Sequence, residues 1–254
     1  MNFLGLVFAA VIVTTAAESP FVGKWKLNPE KSQFTGTTMA VEQLPSGEMR
    51  QTVEGQSYTF KADGKDYPAI FGSTAAWKQI DPNTWEATYK AKGTVLSTDT
   101  SRLSQDGKTL TVTSKGTKPD GASFENTAVY QRVSGGPGLA GKWKATKVAI
   151  SSPETMEFSA AKDGGLSWTV PAYKISTALT FDGKDHPVVG PTVPANFTIA
   201  ATAKGDRAFE LVEKVNGKVV YRGSYSLSAD GKTLTASFTP EGTTDKVTAV
   251  YDRQ

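Results

Sequence analysis

The chain of 254 residues contains no cysteine, which excludes disulfide bonds, a thiolate nucleophile and a zinc–sulfur site. It contains a single histidine, His186, so any Ser–His–Asp triad would have to use that residue. His186 follows a predicted turn, and we interpret it as a loop residue. No phosphate-binding loop or dinucleotide fingerprint occurs in the sequence. We therefore expect no catalytic residues, no metal site and no cofactor, and we predict that the protein is not an enzyme.

The chain also lacks a strong excess of charge of one sign. It contains 28 Lys and Arg and 25 Asp and Glu, which gives a net charge of +3. A nucleic-acid-binding protein would show a clustered basic face, whereas the basic residues here are spread along the chain. We expect no nucleic-acid partner. A catalytic pair of carboxylates stays an alternative, because one sequence does not show which acidic residues lie close together.

Long hydrophobic runs are absent except for one near the start, over residues 3–13. This run is too short to span a bilayer comfortably, and Thr15 and Ala17 fit the small-residue rule for signal-peptidase cleavage. We predict a signal peptide over residues 1–17 and a protein exported to the periplasm or secreted, with no stable membrane insertion. An uncleaved anchor is the alternative. Export without disulfide bonds is more typical of bacteria than of eukaryotes.

What the sequence does contain is an internal duplication, in which four blocks recur in the same order with nearly constant offsets. The matched blocks are GKWK (23–26 and 141–144), DGKDYP and DGKDHP (63–68 and 182–187), LSQDGKTLT and LSADGKTLT (103–111 and 227–235), and AVYQR and AVYDR (128–132 and 249–253). The stretch SGGPG at residues 134–138 is typical of a flexible joint. We therefore predict two domains, over residues 18–133 and 139–254.

Each repeat shows the alternation of a half-buried β-strand. In WEATYKA, Trp85 and Tyr89 fall on one face, and Glu86 and Lys90 fall on the other. Asp-Gly and Asn-Gly pairs between such segments indicate hairpins. The fold class predicted is all-β, with two tandem antiparallel up-and-down barrels of about eight strands each, because closing a sheet removes its exposed edges. A two-sheet sandwich is the competing architecture.

The first and last strands of each repeat carry a sequence pattern that is found in a known protein family. Gly-x-Trp stands on the first strand, at Trp25 and Trp143, and an arginine stands on the last strand, at Arg132 and Arg253. This pattern resembles the lipocalins of the calycin superfamily, and the whole chain is similar in style to exported lipocalin-like domains of bacteria. The resemblance implies that the Trp lies at the closed end of the barrel with the Arg across its ring. We expect Arg132 over Trp25 and Arg253 over Trp143, as structural closure residues.

Alternation also predicts which side chains face the barrel interiors and form a ligand site. These residues are Trp85, Tyr89 and Tyr130 in the first repeat, and Phe209, Leu211, Glu213 and Tyr251 in the second. Glu213 is the exception in an otherwise apolar set, because it occupies the position that Tyr89 has in the first repeat. It is either a polar anchor for a ligand or a residue that a bulge turns towards solvent.

These observations favour an exported, non-catalytic, lipocalin-like protein that binds a lipid or another small hydrophobic ligand inside a barrel. The alternative is a structural or protein-interaction β-domain of the cell envelope with packed barrels and no small ligand. Protein partners stay open. A cavity of a few hundred cubic ångströms would favour the first hypothesis, and a packed interior would favour the second.

Overall fold

The computed structural model of the protein describes residues 19–161 and 164–254. The signal peptide predicted for residues 1–17 lies outside the described residues. Within these ranges the regular structure consists of β-strands and two short 3₁₀ turns, which confirms the predicted all-β class. No helix in the described ranges is long and apolar enough to cross a membrane.

The strands form two antiparallel sheets of ten strands each. The strands in chain order are β1 (Gly23–Leu27), β2 (Thr38–Gln43), β3 (Met49–Val53), β4 (Gln56–Phe60), β5 (Tyr67–Pro68), β6 (Thr74–Asp81), β7 (Thr84–Ala91), β8 (Thr94–Leu103), β9 (Thr109–Thr117), β10 (Ser123–Ser134), β11 (Gly141–Ala149), β12 (Thr155–Ala160), β13 (Leu166–Val170), β14 (Ile175–Leu179), β15 (Asp182–Pro187), β16 (Phe197–Ala203), β17 (Ala208–Val215), β18 (Lys218–Leu227), β19 (Thr233–Pro240) and β20 (Val247–Arg253). The 3₁₀ turns are Ile70–Gly72 and Pro171–Tyr173.

Each sheet curls until its two edge strands approach each other. The sheet called here the first barrel has the order β4-β3-β2-β11-β10-β9-β8-β7-β6-β5, and the second barrel has the order β14-β13-β12-β1-β20-β19-β18-β17-β16-β15. The edges β4 and β5 are in contact, as are β14 and β15, so both barrels are nearly closed. The predicted count of eight strands is two too low per barrel. One reason is that DGKDHP, which resembles a turn in sequence, forms the short strand β15.

The first strand of each repeat lies in the barrel of the other repeat. Strand β1 pairs with β12 and β20, whereas β11 pairs with β2 and β10. The first barrel is therefore the continuous segment 38–149, and the second barrel combines residues 23–27 with residues 155–253. The predicted limits 18–133 and 139–254 describe the sequence repeats, but they do not coincide with the two sheets.

The predicted joint at residues 134–138 turns out to belong to the hairpin that connects β10 to β11 in one barrel. The chain passes between the barrels at residues 28–37 and 150–154 instead. A hairpin places β11 directly beside β10 at little loop-closure cost. Both first strands carry the same GKWK block, so the sequence repeat alone does not show which barrel each of them completes.

The Arg–Trp closure exists, but between partners different from those predicted. The guanidinium carbon of Arg132 lies 4.1 Å from the ring centre of Trp143, and that of Arg253 lies 4.2 Å from the ring centre of Trp25. The expected pairs, Arg132 with Trp25 and Arg253 with Trp143, are wrong because the first strands are exchanged. Both indoles are fully buried. The closure is a cation–π contact at the closed end of each barrel.

Hydrogen bonds hold each guanidinium in place. Arg132 donates to the backbone carbonyl oxygens of four residues at distances of 2.6–2.7 Å. Arg253 donates in the same way to three carbonyl oxygens. The glycine of each Gly-x-Trp makes room for this arrangement, since a Cβ on Gly23 or Gly141 would lie 2.7 or 2.6 Å from the guanidinium. Lysine could not replace these arginines, because it lacks the planar set of five donors.

The ends of the two barrels that lie away from the Arg–Trp closures contact each other. The backbone N–H and hydroxyl of Thr38 donate to Asp245 of the second barrel at 2.6 and 2.9 Å. The ammonium of Lys118 in the first barrel donates to Ser152 in the crossing segment. The exchange of strands and these contacts join the two barrels.

The strand exchange predicts which cysteine pairs can form a disulfide in a chain that has no cysteine of its own. Lys26 faces Asp252 across β1 and β20, and neighbouring Cα atoms in such a pair are about 5.5 Å apart, which suits a disulfide. We expect the variant Lys26→Cys/Asp252→Cys to form an intramolecular disulfide, seen as a monomer of changed mobility on a non-reducing gel. Gln131→Cys/Lys144→Cys, which spans β10 and β11, is the positive control.

The variant Lys26→Cys/Gln131→Cys tests the opposite topology, because Gln131 is the repeat counterpart of Asp252. We expect no disulfide in this variant. A monomeric disulfide here, together with none in Lys26→Cys/Asp252→Cys, would show that each repeat closes on its own first strand.

Candidate functional site

A cavity of about 730 Å³ extends from the interior of the first barrel to its mouth, where residues of the second barrel also line it. Its inner walls come from strands β2 to β4 and β6 to β10, with side chains such as Met39, Val41 and Trp77. Its mouth is formed by the β3–β4 turn, the 3₁₀ turn at Ile70–Gly72 and residues 192–197 of the second barrel. The site is therefore built from both repeats.

The first barrel is hollow because it carries a small side chain where the second barrel carries a large one. The repeated block beginning at Leu103 and Leu227 aligns Ser101 with Tyr225. In the second barrel the ring of Tyr225 is buried and stacks on Phe209, with ring centres 4.9 Å apart. Ser101 is equally buried, yet its hydroxymethyl group leaves that volume empty at the cavity wall.

A second pair of positions has the same effect. Asp99 and Ser114 of the first barrel are cross-strand neighbours, and their repeat counterparts are Gly223 and Phe238. An added Cβ on Gly223 would lie 2.6 Å from the ring of Phe238, so the glycine is what admits that ring. The Phe238 ring then packs edge-on against Tyr225 at 5.8 Å. The void that remains beside Tyr225, bordered also by Phe158, Leu211 and Glu213, has a volume of only about 10 Å³.

A network of hydrogen bonds lines one wall of the cavity. The indole N–H of Trp77 donates to the hydroxyl of Tyr58 at 3.0 Å, and the hydroxyls of Tyr58 and Tyr89 are 3.1 Å apart. Tyr58 donates in turn to the side-chain oxygen of Gln51. Burial raises the pKa of both tyrosines. The polar groups of this wall bond to each other. An apolar ligand packed against them would therefore leave none of these groups without a hydrogen-bond partner.

Asp99 places a carboxylate inside the cavity. It accepts a hydrogen bond from the hydroxyl of Ser97 at 2.9 Å. Burial raises the pKa of Asp99, and hydrogen bonds from Ser114 and Ser97 partly oppose that rise. No ion pair of the described residues includes this carboxylate. The interior of the hollow barrel therefore carries an uncompensated acidic group.

Two further carboxylates stand at the mouth. The hydroxyl of Tyr221 donates to Glu54 at 2.5 Å, and the ring of Phe71 stacks on Tyr221 with centres 5.9 Å apart. Glu54 is accessible to solvent at the β3–β4 turn, but both barrels crowd its carboxyl and this desolvation raises its pKa. Its neighbour Glu213 lies on β17 between Ile199 and Tyr221 of the adjacent strands.

Glu213 borders the cavity and has no hydrogen-bond or ion-pair partner among the described side chains. Burial, together with the charge of Glu54, raises the pKa of Glu213 to about 7. A bulge does occur next to it, between Glu213 and Lys214, but it does not turn the carboxylate away from the cavity. Of the two interpretations of Glu213 from sequence, the inward one therefore describes its position.

The sequence-predicted ligand residues divide into two groups. Tyr89, Tyr130 and Glu213 come together at the cavity, although they belong to different repeats. The other four do not line it, because they pack in the hydrophobic cores: Trp85 in the first barrel, and Phe209, Leu211 and Tyr251 in the second. They lie in the barrel cores, where neighbouring side chains fill the space beside them.

Several cavity residues were missed from sequence. Asp99 lies in the polar run STDT, which gives no apolar face to follow. Alignment of the two repeats would have identified Asp99, since it is a carboxylate at the position that corresponds to Gly223 in the second repeat. The two interiors therefore differ at this position. Glu54 and Phe71 belong to turns, and nothing in their local sequence indicates the mouth of a barrel.

His186 lies in strand β15 and not in a loop as predicted. Its Nε2 is 2.7 Å from the hydroxyl of Thr180 and 3.0 Å from the carboxylate of Asp182. Both groups contact the same ring nitrogen, so the imidazole cannot relay a proton from one to the other as in a catalytic triad. Among the described residues no three His, Asp or Glu side chains are grouped closely enough to hold a metal ion.

Comparisons of the chain with protein-family models, curated proteins and solved structures gave no match. The barrel architecture and the Arg–Trp closure are therefore structural observations on this chain alone. Its function has to be argued from the geometry of the cavity.

The position of Glu213 predicts a pH-dependent effect on stability. Its folded pKa of about 7 is above its ordinary value of 4.5, so the carboxyl stabilises the fold at low pH relative to high pH, and this contribution is lost as the pH rises through 7. Glu213→Gln should therefore raise the free energy of unfolding at pH 8 by about 1–3 kcal/mol relative to its effect at pH 4. Urea unfolding at the two pH values measures this difference.

Glu210→Gln is the matched control, because Glu210 lies on the same strand but is exposed and paired with Lys204. An exposed pair contributes little, so this variant should behave alike at both pH values. The ionisable groups nearest Glu213 are Glu54, Tyr221 and Tyr225, and burial raises the pKa of both tyrosines, so neither of them ionises between pH 4 and pH 8. If Glu213→Gln changes stability equally at pH 4 and pH 8, the carboxylate is not desolvated as described.

Proposed function

We propose that the protein is an exported, non-catalytic, lipocalin-like binding protein that holds one small, largely apolar ligand in its first barrel. The observation that carries this proposal is the cavity of about 730 Å³. Ligand pockets in proteins have volumes of this order, from about 300 to 1,000 Å³. Export is part of the proposal because of the leader sequence.

The walls of the cavity support an apolar ligand. Met39, Val41, Val112 and Trp77 provide aliphatic and aromatic surface, and the hydroxyls of the tyrosine network bond to each other. Aromatic side chains bury a large area with few rotatable bonds, which suits an acyl chain or a flat ring system. A lipid or another amphiphile of this size is the ligand class we propose.

The Arg–Trp closure supports the lipocalin-like part of the proposal, because it provides the closed barrel end that the resemblance implies. The chain departs from the expected pattern in two ways, since each barrel has ten strands and receives its first strand from the other repeat. The Arg–Trp contact is nevertheless present in both barrels.

The second barrel has a different role in this proposal. Its interior is filled by the rings of Phe158, Phe209, Tyr225 and Phe238, which favours a structural function for this part of the chain. We propose that it covers the mouth of the first barrel with residues 192–197 and with Tyr221. One chain should then bind one ligand, although it contains two barrels.

Titration with the neutral hydrophobic fluorophore N-phenyl-1-naphthylamine tests the proposal. We expect one bound probe per chain. Ser101→Tyr should lower the affinity at least ~10-fold, because the ring copies Tyr225 and occupies the cavity. The control Ser226→Tyr, at an exposed position on β18, should bind like the wild type. Near-UV circular dichroism checks that both variants are folded.

Two results would contradict the proposal. One is a wild-type protein that binds no probe under these conditions. The other is a folded Ser101→Tyr variant that binds the probe as tightly as the wild type does, which would place the site elsewhere or on the surface.

A further inference from the structure

The charges around the cavity are unbalanced. Glu54, Asp99 and Glu213 border it, whereas Lys92 is the one basic residue among the described residues that line it. Lys92 is exposed at the tip of the β7–β8 turn and forms no ion pair with any of the three carboxylates in the described structure. The interior and mouth therefore favour positive charge.

Glu213 has acceptor capacity that the protein does not use. Its cross-strand neighbours are Ile199, which is apolar, and Tyr221, whose hydroxyl already donates to Glu54. A partly buried carboxylate without a partner is costly, and a second carboxylate close by adds to that cost. The pKa of Glu213, raised to about 7 by burial and by Glu54, agrees with a group that lacks a counter-charge.

Aromatic faces stand beside these carboxylates. Phe71 and Tyr221 are stacked at the mouth, and Tyr89 and Tyr130 line the wall just inside it. Phe71 adopts a positive φ of 55°, a conformation that costs energy for a residue with a bulky side chain and that is often kept at binding sites. Ring faces attract ammonium groups through their quadrupole.

We propose that the ligand is an amphiphilic cation, with its apolar body inside the first barrel and an amine or quaternary ammonium group at the mouth against Glu213 and Glu54. This inference rests on the binding function proposed above and names the class of ligand. The cation supplies the charge that Glu213 and Glu54 lack, and Tyr221 holds Glu54 in position for it. A fatty-acid anion placed with its headgroup at the mouth would meet two carboxylates and be repelled.

Three probes with the same ten-carbon alkyl chain test the proposal by isothermal titration calorimetry at pH 8: decyltrimethylammonium and decanoate, each below its micellar concentration, and decanol, below its solubility limit. We expect the cation to bind ~10-fold or more tightly than decanol, and decanoate to bind most weakly. Because the ammonium has a fixed charge, its own protonation does not enter the comparison. The wild-type protein alone gives this result, so the test does not depend on a variant that folds.

Variants test whether the carboxylates at the mouth of the cavity cause the preference for the cation. Glu213→Gln should weaken decyltrimethylammonium binding ~5- to 20-fold and leave decanol unchanged, and Glu54→Gln should act in the same direction. Glu210→Gln, on the same strand but facing away from the cavity, should change neither.

The outcomes separate this inference from the proposal on which it rests. If decanol or decanoate binds as tightly as the cation does, or if Glu213→Gln leaves cation binding unchanged, the inference is overturned while a binding function stands. If none of the three alkyl probes binds but N-phenyl-1-naphthylamine does, only the inference is overturned; if N-phenyl-1-naphthylamine does not bind either, both are overturned.

Discussion

A guanidinium laid across a buried indole closes each barrel, and in each case the two side chains come from different repeats. Arg132 covers Trp143, and Arg253 covers Trp25. The first strand of each repeat must therefore leave its own repeat to complete the other barrel. This exchange ties the two barrels together and brings their open ends face to face. The shared mouth, and with it the candidate site, follows from that one constraint.

Duplication has produced two barrels of the same topology with different interiors. Tyr225 and Phe238 fill the second barrel, and Ser101 and Ser114 leave the first one hollow. A few substitutions on inward-facing positions are enough for this difference, because the backbone and the closure stay the same. Beside Tyr225 the filled barrel leaves a void of only about 10 Å³, and residues at its end form part of the mouth of the hollow barrel.

The sequence predicts the fold class well, since alternation and hairpin signals are local properties of each strand. It does not predict the strand exchange, because the blocks at Trp25 and Trp143 are identical and pairing between distant strands is decided by the whole chain. For the site, alternation identifies Tyr89 and Glu213 as inward-facing. It also selects Trp85, because facing inward does not show whether neighbouring rings fill the space.

Methionine methyl NMR tests most directly the claim that one barrel is hollow and the other packed. Met39 borders the cavity, and its repeat counterpart Met156 is buried in the core of the second barrel. With ¹³C-methyl-labelled methionine and decyltrimethylammonium as ligand, we predict a shift of the Met39 methyl resonance and an unchanged Met156 resonance, assigned from Met39→Leu and Met156→Leu. A shift of Met156 with Met39 unchanged would contradict the account.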